Sequence, residues 1–95
     1  MPDQRAICFR NSTDEAVTAL HVIVAGNGNW NGGEVTVGPP GDITIAENTV
    51  TVHLAAPLAP GMPLCFTVEN AEPLAIRSAW WSADDTIVGT AERES

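Results

Sequence analysis

Residues 49–55 read Thr49-Val50-Thr51-Val52-His53-Leu54-Ala55, and residues 63–69 read Pro63-Leu64-Cys65-Phe66-Thr67-Val68-Glu69. In both stretches apolar side chains recur at every second position, the period that places them on one face of a β-strand and their neighbours on the other. No window of a dozen residues keeps the i, i+3, i+4 stripe that a helix needs, and prolines or glycines interrupt every long run. Outward from the two quoted segments, the same alternation predicts strands over 4–10, 16–25, 34–37, 42–46, 74–81 and 86–91. Turn-forming residues separate them: Asn11-Ser12-Thr13-Asp14, the Gly/Asn-rich loop 26–33, Pro39-Pro40-Gly41-Asp42, Glu47-Asn48, and the stretches 57–63, 70–73 and 82–85. Seven or eight short strands at this spacing predict an all-β fold, a two-sheet antiparallel β-sandwich of immunoglobulin-like or jelly-roll type. The chain of 95 residues is read as one β-sandwich domain over 1–95, with an ordered core over about 4–91.

The alternation also assigns faces. Ile7 and Phe9, then Val50, Val52 and Leu54, then Leu64, Phe66 and Val68, and finally Leu74, Ile76 and Trp80 are expected to point inward. Trp80 and Trp81 are neighbours on one strand, so they cannot share a core; with Trp80 inside, the outer face of that strand reads Ala75, Arg77, Ala79 and Trp81. Strand 16–25 is apolar on both faces. Thr18, Leu20, Val22 and Val24 lie on one and Val17, Ala19, His21, Ile23 and Ala25 on the other. A sheet with a solvated side should show polar residues on one of them, so a second covering surface is expected there.

Twelve acidic residues face four arginines (Arg5, Arg10, Arg77 and Arg93) and no lysine, a formal net charge of −8. Nucleic acid and anionic membrane surfaces both require positive charge on the protein to displace counterions, so neither is an expected partner. No stretch approaches the length of a membrane span, and the start of the chain lacks the basic segment and apolar run of a secretory signal. No membrane insertion is expected; the compartment is left open, with a virion and a cell surface as the candidates. Cys8 and Cys65 sit in no zinc-type array. Each is out of phase with the core residues of its strand, and the expectation is two free thiols rather than one long-range bridge.

The Leu20-His21 pair in the second strand, the Pro39-Pro40-Gly41 turn, the Ala59-Pro60-Gly61 connection before Phe66-Thr67-Val68, and the tryptophan strand ending in a short hairpin form an ordered set from Asn11 to Gly89. In this order the chain resembles the small β-sandwich domains of PEP-CTERM-type bacterial surface proteins. The resemblance implies the sandwich fold; it implies no activity and no catalytic residue. Members of that group usually carry a signal sequence and a C-terminal sorting helix, and neither is expected in this chain.

Candidate chemistry is sparse. The loop Gly26-Asn27-Gly28-Asn29-Trp30-Asn31-Gly32-Gly33 lacks the third glycine of a dinucleotide fingerprint and opens no helix. Trp30, flanked by Asn29 and Asn31, is a candidate ligand or partner contact, because an exposed indole stacks on a sugar ring or anchors a protein at low entropic cost; its alternative is to cap the open end of the sandwich. His21 and His53 come side by side if the second and fifth strands pair, but two histidines do not make a zinc site, and a third ligand would have to come from Cys8, an acid or another chain. No metal site or cofactor is expected. Asn11-Ser12-Thr13 fits the glycosylation sequon within a turn. Nothing resembles a GxSxG elbow or a Cys/His dyad, and the chain is not expected to be an enzyme.

These readings lead to a non-enzymatic structural or accessory protein that docks through its sheet surfaces onto protein subunits of a larger assembly, or onto itself, as a phage-particle decoration or surface-layer or filament subunit does. The expected interface is Val17, Ala19, His21, Ile23, Ala75, Arg77, Ala79 and Trp81. The alternative is a carbohydrate-binding module that uses exposed tryptophans, with a glycan as partner.

Overall fold

The computed structural model describes residues 3–24, 30–31, 33–46, 48–70 and 76–92. Among them are nine strands: β1 (Asp3–Arg10), β2 (Val17–Val24), β3 (Trp30–Asn31), β4 (Val35–Val37), β5 (Gly41–Ala46), β6 (Thr49–Leu58), β7 (Pro63–Asn70), β8 (Ile76–Ala83) and β9 (Thr86–Thr90). Every pairing is antiparallel. In one sheet β1 pairs with β7, whose other edge is shared by β3 and β4; the second sheet runs β5-β6-β2-β8-β9. The two sheets form the expected sandwich. β2 and β3 belong to different sheets, and residues 25–29, Asn29 among them, lie outside the described residues. Gly33 sits where a Cβ would lie inside the Thr67 carbonyl, so a side chain at this step would push β4 off β7.

The inner faces follow the period of two. Ile7 and Phe9 of β1 and Leu64, Phe66 and Val68 of β7 meet Leu20, Val22 and Val24 of β2 and Val50 and Val52 of β6 in one buried cluster, with Leu54 packed against its edge. Each fully buried side chain of this size contributes roughly 1.5–3 kcal/mol through removal of apolar surface from water. Phe9 stacks on Phe66 at 6.3 Å between ring centroids.

The tryptophan strand corrects the sequence reading. Trp81, not Trp80, is the largest core side chain and is 0% exposed, while Trp80 is half-buried on the outer face. The cause is a register irregularity: Ile23 pairs with Ser78, but Val24 pairs with Ile76, so one step on β2 is matched by two on β8. The extra residue reverses the alternation. Ile76 packs against the core as expected, and beyond the irregularity Ala79 and Trp81 point inward. The indole Nε1 of Trp81 is buried with no hydrogen-bond partner among the described residues.

A second irregularity, between Val17 and Ala19, turns Val17 into the core beside Leu58. Val17, Ala79 and Trp81 are therefore core residues, and the expectation that they form an interface is withdrawn. Ala75 and Leu74 lie outside the described residues.

The thiol expectation is also overturned. Cys8 and Cys65 stand directly opposite each other across β1 and β7 and form a disulfide, with Cα atoms 4.1 Å apart. Being out of phase with the core is what brings them together: both point to the outer side of the same strand pair. The sequence carried a usable signal in two matching triplets, Ile7-Cys8-Phe9 and Leu64-Cys65-Phe66. Pairing Ile7 with Phe66 and Phe9 with Leu64 leaves the cysteines opposed.

The sequon has a structural role. Asn11 is fully buried; its Nδ2 donates to the carbonyls of Glu15 (2.8 Å) and Leu58 (3.0 Å), and its Oδ1 accepts from the Thr13 amide (3.0 Å) and hydroxyl (2.6 Å). This is an Asx turn that ties the end of β1 to the end of β6.

Candidate functional site: the outer face of the five-stranded sheet

Register across the second sheet lines up side chains from all its strands. Asp42, His53, Ala19, Ser82 and Ile87 form one cross-strand row; Thr44, Thr51, His21, Trp80 and Thr90 form the next; Ala46, Thr49, Ile23 and Ser78 form a third. Small and hydroxyl-bearing residues fill most positions. Bulk is concentrated on His21, Ile23, His53, Trp80 and Ile87.

His21 and Trp80 are direct partners across β2 and β8, and their rings stack with centroids 5.3 Å apart and planes 12° from parallel. His21 Nε2 lies 2.8 Å from the hydroxyl of Ser82, which fixes the ring's rotation about the strand. His53, from β6, sits diagonally across from His21. Burial, and secondarily the neighbouring His53, holds the His21 pKa below its ordinary 6.5, so the ring is neutral at pH 7.

The end of this face is bounded by the β8–β9 hairpin. Its two central residues, Asp84 and Asp85, both take positive φ (50° and 70°), the backbone of a two-residue hairpin turn that favours Asn-Gly. The Asp84 amide donates to the Thr18 hydroxyl at 3.2 Å, which pins the turn over β2. Thr18, His21, His53, Trp80, Ser82, Asp84, Asp85 and Ile87 enclose a shallow groove of about 530 Å³. Ile87 is 69% exposed at its edge.

Of the residues expected at an interface, Ala19, His21 and Ile23 lie on this outer face and Arg77 is exposed at the irregularity in β8. Trp30 and Asn31 belong to β3 on the edge of the other sheet, paired with Asn70 and Glu69, so the structure does not bring them to the groove. The pairing of β2 with β6 does bring the two histidines together, as the sequence suggested. Cys8 is no metal ligand beside them, since it is bonded to Cys65 in the opposite sheet. Among the described residues no group of three or more His, Cys, Asp or Glu is placed to hold a metal ion, and no helix is long and apolar enough to cross a membrane.

Sequence reasoning missed Trp80, Ser82, Asp84, Asp85 and Ile87 as groove residues. Trp80 was hidden by the irregularity in β8. The others come together only through the hairpin, whose signal, Asp84-Asp85 between two alternating strands, was visible as a turn.

The two-sheet sandwich is what the structure supports of the resemblance to PEP-CTERM-type surface domains. Compared with known proteins, the chain matches no family model, no curated protein and no solved structure.

Proposed function

We propose that this domain is a non-enzymatic accessory module that docks onto protein subunits of a larger assembly through the outer face of its five-stranded sheet. The observation that carries the reading is the set of three rows across that face. Alanine, serine and threonine leave it flat, while Trp80, His21 and Ile87 supply the large side chains that anchor interfaces. A sandwich is an all-β scaffold suited to interaction and structural roles in general, and the strand order gives this face five strands of breadth. The Cys8–Cys65 bridge favours a working place outside the reducing cytosol, such as a cell surface or a released particle. Within this reading the module decorates or cements a particle, surface layer or filament.

The test is sedimentation velocity of the protein alone and mixed with the proteins encoded beside its gene. Comparison with Ile23→Asp and Trp80→Asp, which alter the outer face and spare the core, identifies the surface. Co-sedimentation lost in both variants, with β-type circular dichroism intact, supports the proposal. A protein that binds none of these subunits, and whose tryptophan fluorescence responds instead to soluble glycans, overturns it in favour of carbohydrate binding.

A further inference from the structure

We propose that the groove at the hairpin end of this face receives an arginine side chain from a basic segment of the partner protein; this rests on the docking reading above and names what docks.

Charge selects the occupant. Asp84 and Asp85 line the rim, and Asp42 stands next to His53 on the same row, while among the described residues no arginine lines the groove. His21, the central side chain, is neutral at pH 7. A second copy of the chain carries the same net charge of −8, so pairing of two copies brings like charge together. A basic partner meets the opposite situation.

Shape and chemistry narrow the class to guanidinium. His21 stacks on one face of the Trp80 indole, and the rest of this half-buried ring lines the groove, where it offers a π surface to a planar cation. Asp84 and Asp85 line the same groove, where a guanidinium that lies on the ring can donate paired hydrogen bonds to a carboxylate. An ammonium lacks the planar fork. Ile87, 69% exposed beside these groups, is left for an apolar neighbour of the arginine. The turn itself is consistent with selection for charge: both of its residues take the left-handed backbone, where Asn-Gly would be more stable.

The experiment uses three capped peptides, Gly-Arg-Ile-Arg-Gly and its lysine and glutamate counterparts, titrated into the ¹⁵N-labelled protein. The readout is the indole signal of Trp80, assigned by Trp80→Phe, together with the amides of residues 82–87. Two variants remove the same charge at different places. Asp84→Asn/Asp85→Gly changes the groove while improving the turn, and Asp14→Asn/Glu15→Gln changes the exposed turn between β1 and β2. The arginine peptide is expected to move the Trp80 and 82–87 signals and to bind more tightly than the lysine peptide. Asp84→Asn/Asp85→Gly is expected to weaken it by about tenfold without loss of stability, and the remote pair by much less. Equal weakening by both variants, or shifts spread over the whole acidic surface, means unspecific attraction and overturns the proposal, as does absence of any shift. Absence of a shift with subunit docking still lost in Ile23→Asp defeats the arginine site alone. Peptide binding with no subunit partner leaves the arginine site standing and defeats assembly docking.

Discussion

Phe9 of β1 meets Trp81 of β8 edge to face across the sandwich, ring centroids 6.4 Å apart and planes at 86°. This contact joins the two sheets at the centre of the buried cluster, with Phe66 stacked behind Phe9. Truncating Trp81 therefore empties the core's largest site and removes an aromatic pair. Trp81→Ala is expected to destabilise by about 3–5 kcal/mol, against about 1 kcal/mol for Trp80→Ala on the outer face. Urea melts of both variants check the order, and equal losses would contradict the facing seen here.

The disulfide makes a separate prediction. Cys8 and Cys65 are 57 residues apart in sequence, so the bridge closes more than half the chain into a loop and restricts the unfolded state. On the chain-entropy account this is worth about 4 kcal/mol. Alkylation under denaturing conditions without reductant should add no alkyl group. Cys8→Ser/Cys65→Ser, or reductant alone, should lower the urea midpoint sharply; two adducts on the untreated protein would show that the bridge does not form.

What the sequence disclosed tracks what the period of two controls. β1, β7 and the first half of β6 keep an unbroken alternation, and Ile7, Phe9, Val50, Val52, Leu64, Phe66 and Val68 all face the core as read. β8 does not keep it. Its extra residue against β2 reverses the faces of Trp80 and Trp81, and local sequence carries no trace of that slip because it is a property of the pairing with Ile23 and Val24. The cysteine bridge depends on pairing too, since strands 53 residues apart in the chain were opposed only once the sheet order was known. The groove was legible in part: the His21–His53 proximity follows from an assumed strand order, whereas the position of Asp84 and Asp85 over β2 rests on a hydrogen bond to Thr18 that no pattern announces.

Asn11 should behave as a structural residue. It satisfies the Leu58 and Glu15 carbonyls from a site with no exposure to solvent. Asn11→Ala strands these acceptors and is expected to cost about 2–4 kcal/mol. Asn11→Asp should be no better, because it turns a carboxylate oxygen towards the same carbonyls. Thermal melts of both test this. Once folded, the protein should also show no glycan at Asn11 by intact mass after exposure to a glycosylating extract, since both amide hydrogens are in use.

The pH dependence of stability is expected to report on His21. In the unfolded chain this imidazole takes up a proton near its ordinary 6.5, while in the fold burial, and then the neighbouring His53, delay uptake to lower pH. Between the two values the unfolded state binds more protons than the native state, so stability falls as pH drops through the region below 6.5 and is unaffected above it. The groups facing His21 are Trp80 and Ser82 from β8 and His53 from β6, with Asp84 and Asp85 at the groove rim. His21→Gln removes the titrating ring and keeps a hydrogen-bonding end for Ser82. Urea midpoints of the wild type should hold steady from about pH 8 to 7 and decline towards about pH 5, with a shallower decline in His21→Gln. Identical slopes would mean that His21 is not the sensor. The same protonation puts positive charge at the centre of the groove, so binding of the arginine peptide should weaken over this window in the wild type and less so in His21→Gln.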